Sequence, residues 1–466
     1  MTPSMIVAIG VDVGTSNTKV VALDVQTLGA RILATASGPT PDDGGDLIQL
    51  VARLMRRVTS TTQAPTVIGI ASMAETGLIL GRDGRALSAV IRWNSFSEID
   101  RPSAIVAELG QEEFGRLTGL PVLRKVPLLV WERLADTDSR LWKAGARWAG
   151  VADLIAFALT RELVTDHTLA ARTGAVTRFG EFDRDLLERV GMTPDNLARV
   201  AAPGEPAGAV TPSAADNFGL PSGVPVFIAG HDHAVGAWAA GVREPGQVAD
   251  SLGTSEAIIR ILGEPTDRIA VTRAGMSLGR TVDGYRECVV AGAAGAGALI
   301  GALRNELDLS DARDLDDGPT AELVLPYPSG RQTPSPDPTA RLSGFDRSRG
   351  PQTRTRALFE GLALHARWMY EEQRAIAGDR DVGPIHVLGG AGGANELWLA
   401  TKGAVFPIAS ARVLSSEPVA VGAASLAATR AGMNAAGPIP TSPLPAPDPR
   451  YQRVFESFVA TARRER

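Results

Sequence analysis

The stretch from residue 6 to residue 24, IVAIGVDVGTSNTKVVALD, constrains the fold of this chain more than any other. Ile6 to Val13 alternates as a buried strand, with Val7, Ile9, Val11 and Val13 against smaller neighbours. Gly14, Thr15, Ser16 and Asn17 form a turn rich in glycine, amide and hydroxyl groups. Thr18 to Leu23 then reads as a second strand. A P-loop or a dinucleotide fingerprint would place a helix after the turn. Here the turn's own backbone N–H groups, with the Thr15 and Ser16 hydroxyls, are suited to wrap an anion as a backbone nest does. Asp12 stands at the mouth of that turn, where a carboxylate would hold hydrated Mg²⁺ against a triphosphate. An ordinary β-hairpin with a solvated Asp12 is the plain alternative.

With 466 residues the chain exceeds one compact core, so two domains are expected, divided at 1–245 and 246–466. The formal charge of −5 is spread along the sequence, leaving no basic stripe for nucleic acid. Cys288 is the only cysteine, which excludes an intrachain disulfide and a multi-cysteine metal site. The first strand begins almost at the N-terminus, and no uninterrupted apolar run reaches membrane-spanning length. The expectation is a soluble cytoplasmic protein, without nucleic-acid or membrane partners.

Leu47 to Val58 has helical periodicity, and Thr66 to Ser72 reads as a strand. A polar loop, Met73 to Gly77, carries Glu75, and Ala89 to Trp93 reads as one more strand. Glu75, Trp93 and Asn94 thus fall at strand ends, where α/β proteins place ligand contacts. Glu75 could equally be a solvated loop residue, and Trp93 a core residue. Residues 102–222 look largely helical, with a helix expected over Arg147 to Leu159. His167 reads as structural or exposed rather than catalytic. Pro225 to Ala229 is a strand that runs into Gly230-His231-Asp232-His233, followed by a small-residue helix. Asp232 therefore stands where a strand ends and a helix begins. His231 and His233 also suggest a metal pair, but no further ligand follows at suitable spacing.

Beyond Gly246 the opening pattern returns: Gln247 to Leu252 as strand, Gly253-Thr254-Ser255 as turn, Ala257 to Leu262 as strand. Two such hairpins suggest two halves of similar design. A Gly/Ala-faced helix is expected over Ala291 to Glu306, and a long amphipathic helix over Thr353 to Ala377. Ile385 to Leu388 runs into the glycine cluster Gly389 to Asn395, where backbone could approach a flat or charged ligand. An Ala-rich helix follows over Pro418 to Gly432.

The order of these pieces resembles the FGGY family of carbohydrate kinases, in the actin/hexokinase-type ATPase superfamily, over almost the whole chain. Asp12 to Ser16 resembles that superfamily's first phosphate loop, and Gly253-Thr254-Ser255 its second. Trp93-Asn94 is similar to the substrate strand, and Gly230 to Gly241 to the segment with the catalytic aspartate. Leu325-Pro326-Tyr327 through Arg341 is similar to the Pro-Tyr loop, Phe359-Glu360-Gly361 to part of the long helix, and Gly389 to Asn395 to the adenosine motif. Gly422-Ala423-Ala424 also fits. The resemblance implies an α/β fold of two ribonuclease-H-like, actin-like ATPase domains, each a mixed sheet flanked by helices, with a cleft between them.

It also implies roles. Asp232 would be the general base. Gly14, Thr15, Ser16, Gly253, Thr254 and Ser255 would hold the phosphates of ATP, and Gly389, Gly390 and Asn395 would border the adenosine. Glu75, Trp93, Asn94, His231 and Asp232 would line the sugar pocket, with Asp12 and Asp232 holding Mg²⁺ through water. A small sugar or polyol is the implied partner, and a homodimer is allowed. Some motifs depart from the family: Asn94-Ser95-Phe96-Ser97 lacks the Asp and Arg usual after the Trp, and Ala74-Glu75 keeps only the Glu of an Arg-Glu pair. Gln332 breaks a Gly-Glu-Arg element, and Lys402 stands where an Ala-Asp pair is usual. A sugar-binding regulatory pseudo-kinase and a nucleotide-driven switch are the competing readings.

Overall fold

The computed structural model of the chain describes residues 6–26, 31–95, 103–177, 180–309, 318–378, 380–389, 395–433 and 437–464. Its contacts gather into two compact units. The first comprises Met1–Ala239, Gly279–Arg286 and Val419–Pro438, and the second Ala240–Leu278, Glu287–Pro418 and Ile439–Arg466.

The first unit is built on a six-stranded mixed sheet. Its order is Arg31–Pro39, Asn17–Asp24, Val7–Val13, Val67–Ser72, Pro225–His231, Gly208–Ala209. Val7–Val13 is buried along its length because it pairs antiparallel with Asn17–Asp24 and parallel with Val67–Ser72, while helices cover both faces. On one face Val7, Ile9, Val11 and Val13 share a core with Leu47, Val51 and Leu54 of helix Gly44–Thr59 and with Ile155 of helix Val151–Thr160. Asp43 caps the former, accepting from Gly45 N at 2.8 Å and Asp46 N at 3.0 Å, so it begins ahead of the periodic residues seen in sequence. On the other face lies helix Pro418–Arg430. It comes so near that a Cβ on Gly69 would sit 2.0 Å from the Ala423 carbonyl oxygen, so glycine is the residue that permits this approach. A separate core around Phe114, Trp131, Trp142 and Trp148 organises the helical segment beyond residue 103.

The second unit holds a seven-stranded sheet. Its order is Ser277–Arg280, Glu287–Ala293, Glu256–Ile261, Val248–Leu252, Ile385–Gly389, Ser410–Val413, Thr441–Pro443. The hairpin Val248–Leu252 and Glu256–Ile261 is antiparallel, and its first strand is parallel to Ile385–Gly389, as in the first unit. Helix Pro351–Ala377 buries Leu358, Leu362 and Met369 against this sheet's core. Among the described residues no helix is long and apolar enough to cross a membrane.

Three segments differ from the sequence reading. Residues 89–93 form no strand, because their backbone groups go to separate partners. Val90 N donates to Asp42 O at 2.8 Å, Ile91 N to Gly77 O at 2.7 Å and Trp93 N to the Thr76 hydroxyl at 3.1 Å. The strand that does pair with Gly77–Leu80 is Arg147–Gly150, so the helix expected from Arg147 starts only at Val151. The helix expected over Ala291 to Glu306 is shorter too. Residues through Ala293 complete a ladder with Glu256–Ile261, and the helix spans Ala296–Ala302.

Candidate active site

The opening turn closes with Gly14 N donating to Asn17 O at 3.2 Å, and the Thr40 hydroxyl donating to Gly14 O at 2.8 Å. The Thr15 hydroxyl accepts from Trp93 Nε1 at 2.9 Å and faces Met73 Sδ at 3.5 Å. Arg92 donates to the carbonyls of Thr15 and Thr40 and pairs with Asp42. This network draws Trp93 onto the turn. Ser16 is exposed, whereas Asp12, at the end of the first strand, is buried and stands across from Lys19. Asn94, one residue past Trp93, is exposed.

Glu75 follows the strand Val67–Ser72 in a left-handed conformation, φ 60°, which is costly for a residue with a side chain. Its carboxylate is buried between two cations: Arg172 donates to Oε1, and Lys125 Nζ lies 2.8 Å from Oε2. Burial works against the Glu75 charge, but Arg172 and Lys125 outweigh it and hold the carboxyl below its usual range. Lys125 also sits 5.2 Å from the centre of the Trp93 ring. The arginine that pairs with Glu75 lies 97 residues away in the sequence, and the neighbouring position is Ala74.

Strand Pro225–His231 ends one residue before Asp232, which opens helix Asp232–Ala239. His233 N donates to Asp232 Oδ1 at 2.7 Å, and His231 Nε2 lies 3.2 Å from the same oxygen. Burial raises the Asp232 pKa, His233 opposes this, and the charge of Glu75 adds to it. His231 is held well below the usual imidazole range by burial, then by the charges of His233, Arg172 and Lys125. These causes place Glu75, Arg172, Lys125, His231 and Asp232 within electrostatic reach of one another. The ligand atoms of His231, Asp232 and His233 lie within 4.8 Å of each other.

A second layer fixes this junction. His231 N donates to the Thr168 hydroxyl at 2.8 Å, which donates to Asp166 Oδ1 at 2.6 Å. Asp166 also pairs with His167 Nδ1 at 3.2 Å and Arg430 at 3.5 Å. His167 is therefore a buried structural residue, its ring also 3.0 Å from the Thr281 carbonyl.

In the second unit, Gly253 N donates to Ser255 O at 2.8 Å to close the Gly-Thr-Ser turn. Ala298 N, in the helix Ala296–Ala302, donates to Thr254 O at 3.0 Å, and a Cβ on Gly297 would lie 2.1 Å from Gly253 O. Gly389 ends its strand beside Leu252, next to the turn. Asn395 caps helix Glu396–Val405, accepting from Leu397 N at 2.8 Å, and its amide donates to Leu309 O at 3.2 Å. Gly390 lies outside the described residues. Directly beside the turn, Lys402 Nζ is 2.6 Å from Asp250 Oδ2 and is bonded to Glu256, all three side chains being fully buried. Burial pushes the Glu256 pKa up to about 8, against the pull of Lys402.

Sequence reasoning missed Arg172, Lys125 and the Asp250–Glu256–Lys402 cluster. The cluster did leave a signal: charged residues inside otherwise apolar strand and helix segments need buried partners.

Models of the FGGY family of carbohydrate kinases match residues 7–239 with the N-terminal domain and 251–431 with the C-terminal domain. A gluconokinase of Bacillus subtilis is 22% identical over 55% of this chain and 52% of its own length, so the chain spans about half of that relative. A xylulose kinase of Bacillus subtilis is 23% identical over 91% of this chain and 88% of its own. The crystal structure of gluconate kinase from Lactobacillus acidophilus superposes with a TM-score of 0.83 at 21% identity, covering 99% of this chain and 98% of that one. It shares the fold.

Proposed function

The chain belongs to the FGGY family of carbohydrate kinases, and we propose that it transfers the γ-phosphate of ATP to a hydroxyl of a small sugar or polyol, a ketose such as xylulose being one such acceptor. The observation that carries the reading is Asp232. Its carboxylate sits at a strand-to-helix junction, within electrostatic reach of a polar set, with a pKa raised by burial.

A sugar hydroxyl becomes a competent nucleophile as it loses its proton, and Asp232 would accept that proton as the bond to phosphorus forms. His231, kept neutral, would orient the Asp232 carboxylate at 3.2 Å without competing for the charge. Glu75, Trp93 and Asn94 would bind acceptor hydroxyls, since polyol groups are costly to bury without partners. Backbone N–H groups of the turns at Gly14–Ser16 and Gly253–Ser255 would hold phosphate oxygens, and Gly389, Gly390 and Asn395 would border the adenosine. The oxygen donors Asp12 and Asp232 fit Mg²⁺, which binds hard carboxylate and water ligands. When bound, the metal would neutralise charge on the phosphates. A coupled ATP assay over ketoses, polyols and sugar acids tests the proposal. Acceptor-stimulated ATP consumption supports it. Acceptor binding with no turnover would replace it by the pseudo-kinase reading.

The pH profile gives a second check. Asp232 works only when ionised, so its raised pKa moves the acid limb of kcat/KM above the usual carboxylate range. Glu75→Gln removes one charge that raises it and leaves Arg172 and Lys125 unopposed. The acid limb should then move to lower pH, as read from kcat/KM between about pH 4 and 8. A limb that stays or rises would mean that Asp232 is not the titrating base.

A further inference from the structure

We propose a second ligand site on the first unit, apart from the candidate active site, that takes a small phosphate-bearing molecule. It is a cavity of about 490 Å³ bounded by Arg82, Trp142, Gly145, Arg147 and Thr193, a size usual for metabolite sites. Three cations in its lining, Arg82, Lys143 and Arg147, less the one carboxylate of Asp195, leave an excess of two positive charges. Asp83, next to Arg82 in sequence, turns its carboxylate to Arg85 N at 3.0 Å. Among the described residues no ion pair engages any of the three cations. The excess matches a phosphate monoester, which carries about −1.5 to −2 at neutral pH.

The walls are fixed by the chain around them. Asn196 Nδ2 donates to Trp142 O at 3.0 Å and to Ala146 O at 2.8 Å, and its Oδ1 accepts from Thr193 N at 2.9 Å. These bonds tie the loop before Arg147 to the turn at Thr193. Arg82 Nε donates to Ala144 O at 3.0 Å. Gly145, at φ 84°, lets that guanidinium lie on the loop, since a Cβ there would be 2.1 Å from Arg82 Nε. Two lining residues carry a buried N–H that meets no acceptor among the described residues: Arg147 at Nε, and Trp142, itself 4% exposed, at Nε1. Unmet buried donors are costly, and phosphate oxygens are strong acceptors. Water meets an N–H but leaves the cations uncompensated. Arg147 pairs with Leu80 at one end of the two-stranded ribbon, and Glu75 lies just before Gly77 at the other, about 10 Å along it. The cavity therefore shares no lining residue with the set around Glu75 and Asp232.

Indole N–H resonances of isotopically labelled protein test this, with ribose 5-phosphate, inorganic phosphate and ribose as probes. The chain has seven tryptophans, and Trp142→Phe identifies the Trp142 signal. Ribose 5-phosphate should shift that signal saturably, and ribose should leave it in place. Tighter binding of ribose 5-phosphate than of inorganic phosphate supports an ester as occupant, and the reverse supports the free anion; both keep the site. Arg147→Gln should raise the apparent Kd about tenfold or more, and Arg147→Lys, which keeps the charge and loses the fork, should raise it less. Arg82→Gln, on the exposed rim, should weaken binding in the same direction, and a thermal melt confirms that each variant folds. Trp93 reports the other site, because its Nε1 donates to Thr15 in the opening turn. A phosphate response at Trp93 with none at Trp142 overturns the proposal. So does a Trp142 response that Arg82→Gln and Arg147→Gln leave unchanged, or no response at either tryptophan.

Discussion

Asp232→Asn is expected to lower acceptor-dependent phosphoryl transfer by roughly a thousandfold, with ATP binding retained in calorimetry. The substitution preserves shape. An asparagine carbonyl can still accept the His233 N–H now held at 2.7 Å, so the strand-to-helix junction stays formed. What it removes is the group that takes the hydroxyl proton. His231 cannot take over efficiently, since burial and the charges of His233, Arg172 and Lys125 oppose its protonation. The result also separates the competing classes. A nucleotide-driven switch would keep its acceptor-independent ATP consumption in this variant, and a pseudo-kinase would have no turnover to lose. Wild-type rates of acceptor phosphorylation in Asp232→Asn would remove Asp232 from the role of base.

What could be read from sequence was the local part of the site. The two hairpins with their Gly-Thr-Ser turns are encoded by contiguous alternation and turn chemistry, and they stand at Val7–Asp24 and Val248–Ile261. Asp232 at a strand end follows from the same kind of local pattern. The strand expected at 89–93 does not form because its backbone pairs with a neighbouring segment only at the single bridge Ile91–Gly77, while Val90 N turns to Asp42 and Trp93 N to the Thr76 hydroxyl. Arg147–Gly150 was hidden for the opposite reason. It is four residues long, abuts a helix, and becomes a strand only by pairing with Gly77–Leu80. Charge partners were the least legible feature. Glu75 meets Arg172 across 97 residues, and Lys402 meets Asp250 across 152, separations at which no periodicity carries information. Asn395, which the resemblance places beside the adenosine, also caps the helix that follows it, a local role that its position before Glu396 allows.

Lys402→Met should be the most destabilising single substitution in the second unit, by about 3–5 kcal/mol. Its ammonium stands between Asp250 and Glu256, which approach it from the strand before and the strand after the Gly253–Ser255 turn. Removing it leaves the buried Asp250 charge without its cation, beside a Glu256 that must keep its proton, a cost that Met packing cannot offset. The loss should depend on pH with a definite sign. Glu256 already has a folded pKa of about 8, above its unfolded value, so its contribution is full at low pH and fades as pH rises through that range. Without Lys402 the pair depends on that proton still more, and urea midpoints of the variant should fall further below wild type at about pH 8.5 than at about pH 5.5. Combining Asp250→Asn, Glu256→Gln and Lys402→Met in one chain should recover much of the loss, because no uncompensated charge remains. ATP affinity should separate stability from function here. If the cluster holds the turn in shape, the triple variant regains stability but binds ATP more weakly than wild type. Equal urea midpoints for Lys402→Met and wild type at both pH values would show that the buried cation does not support this turn.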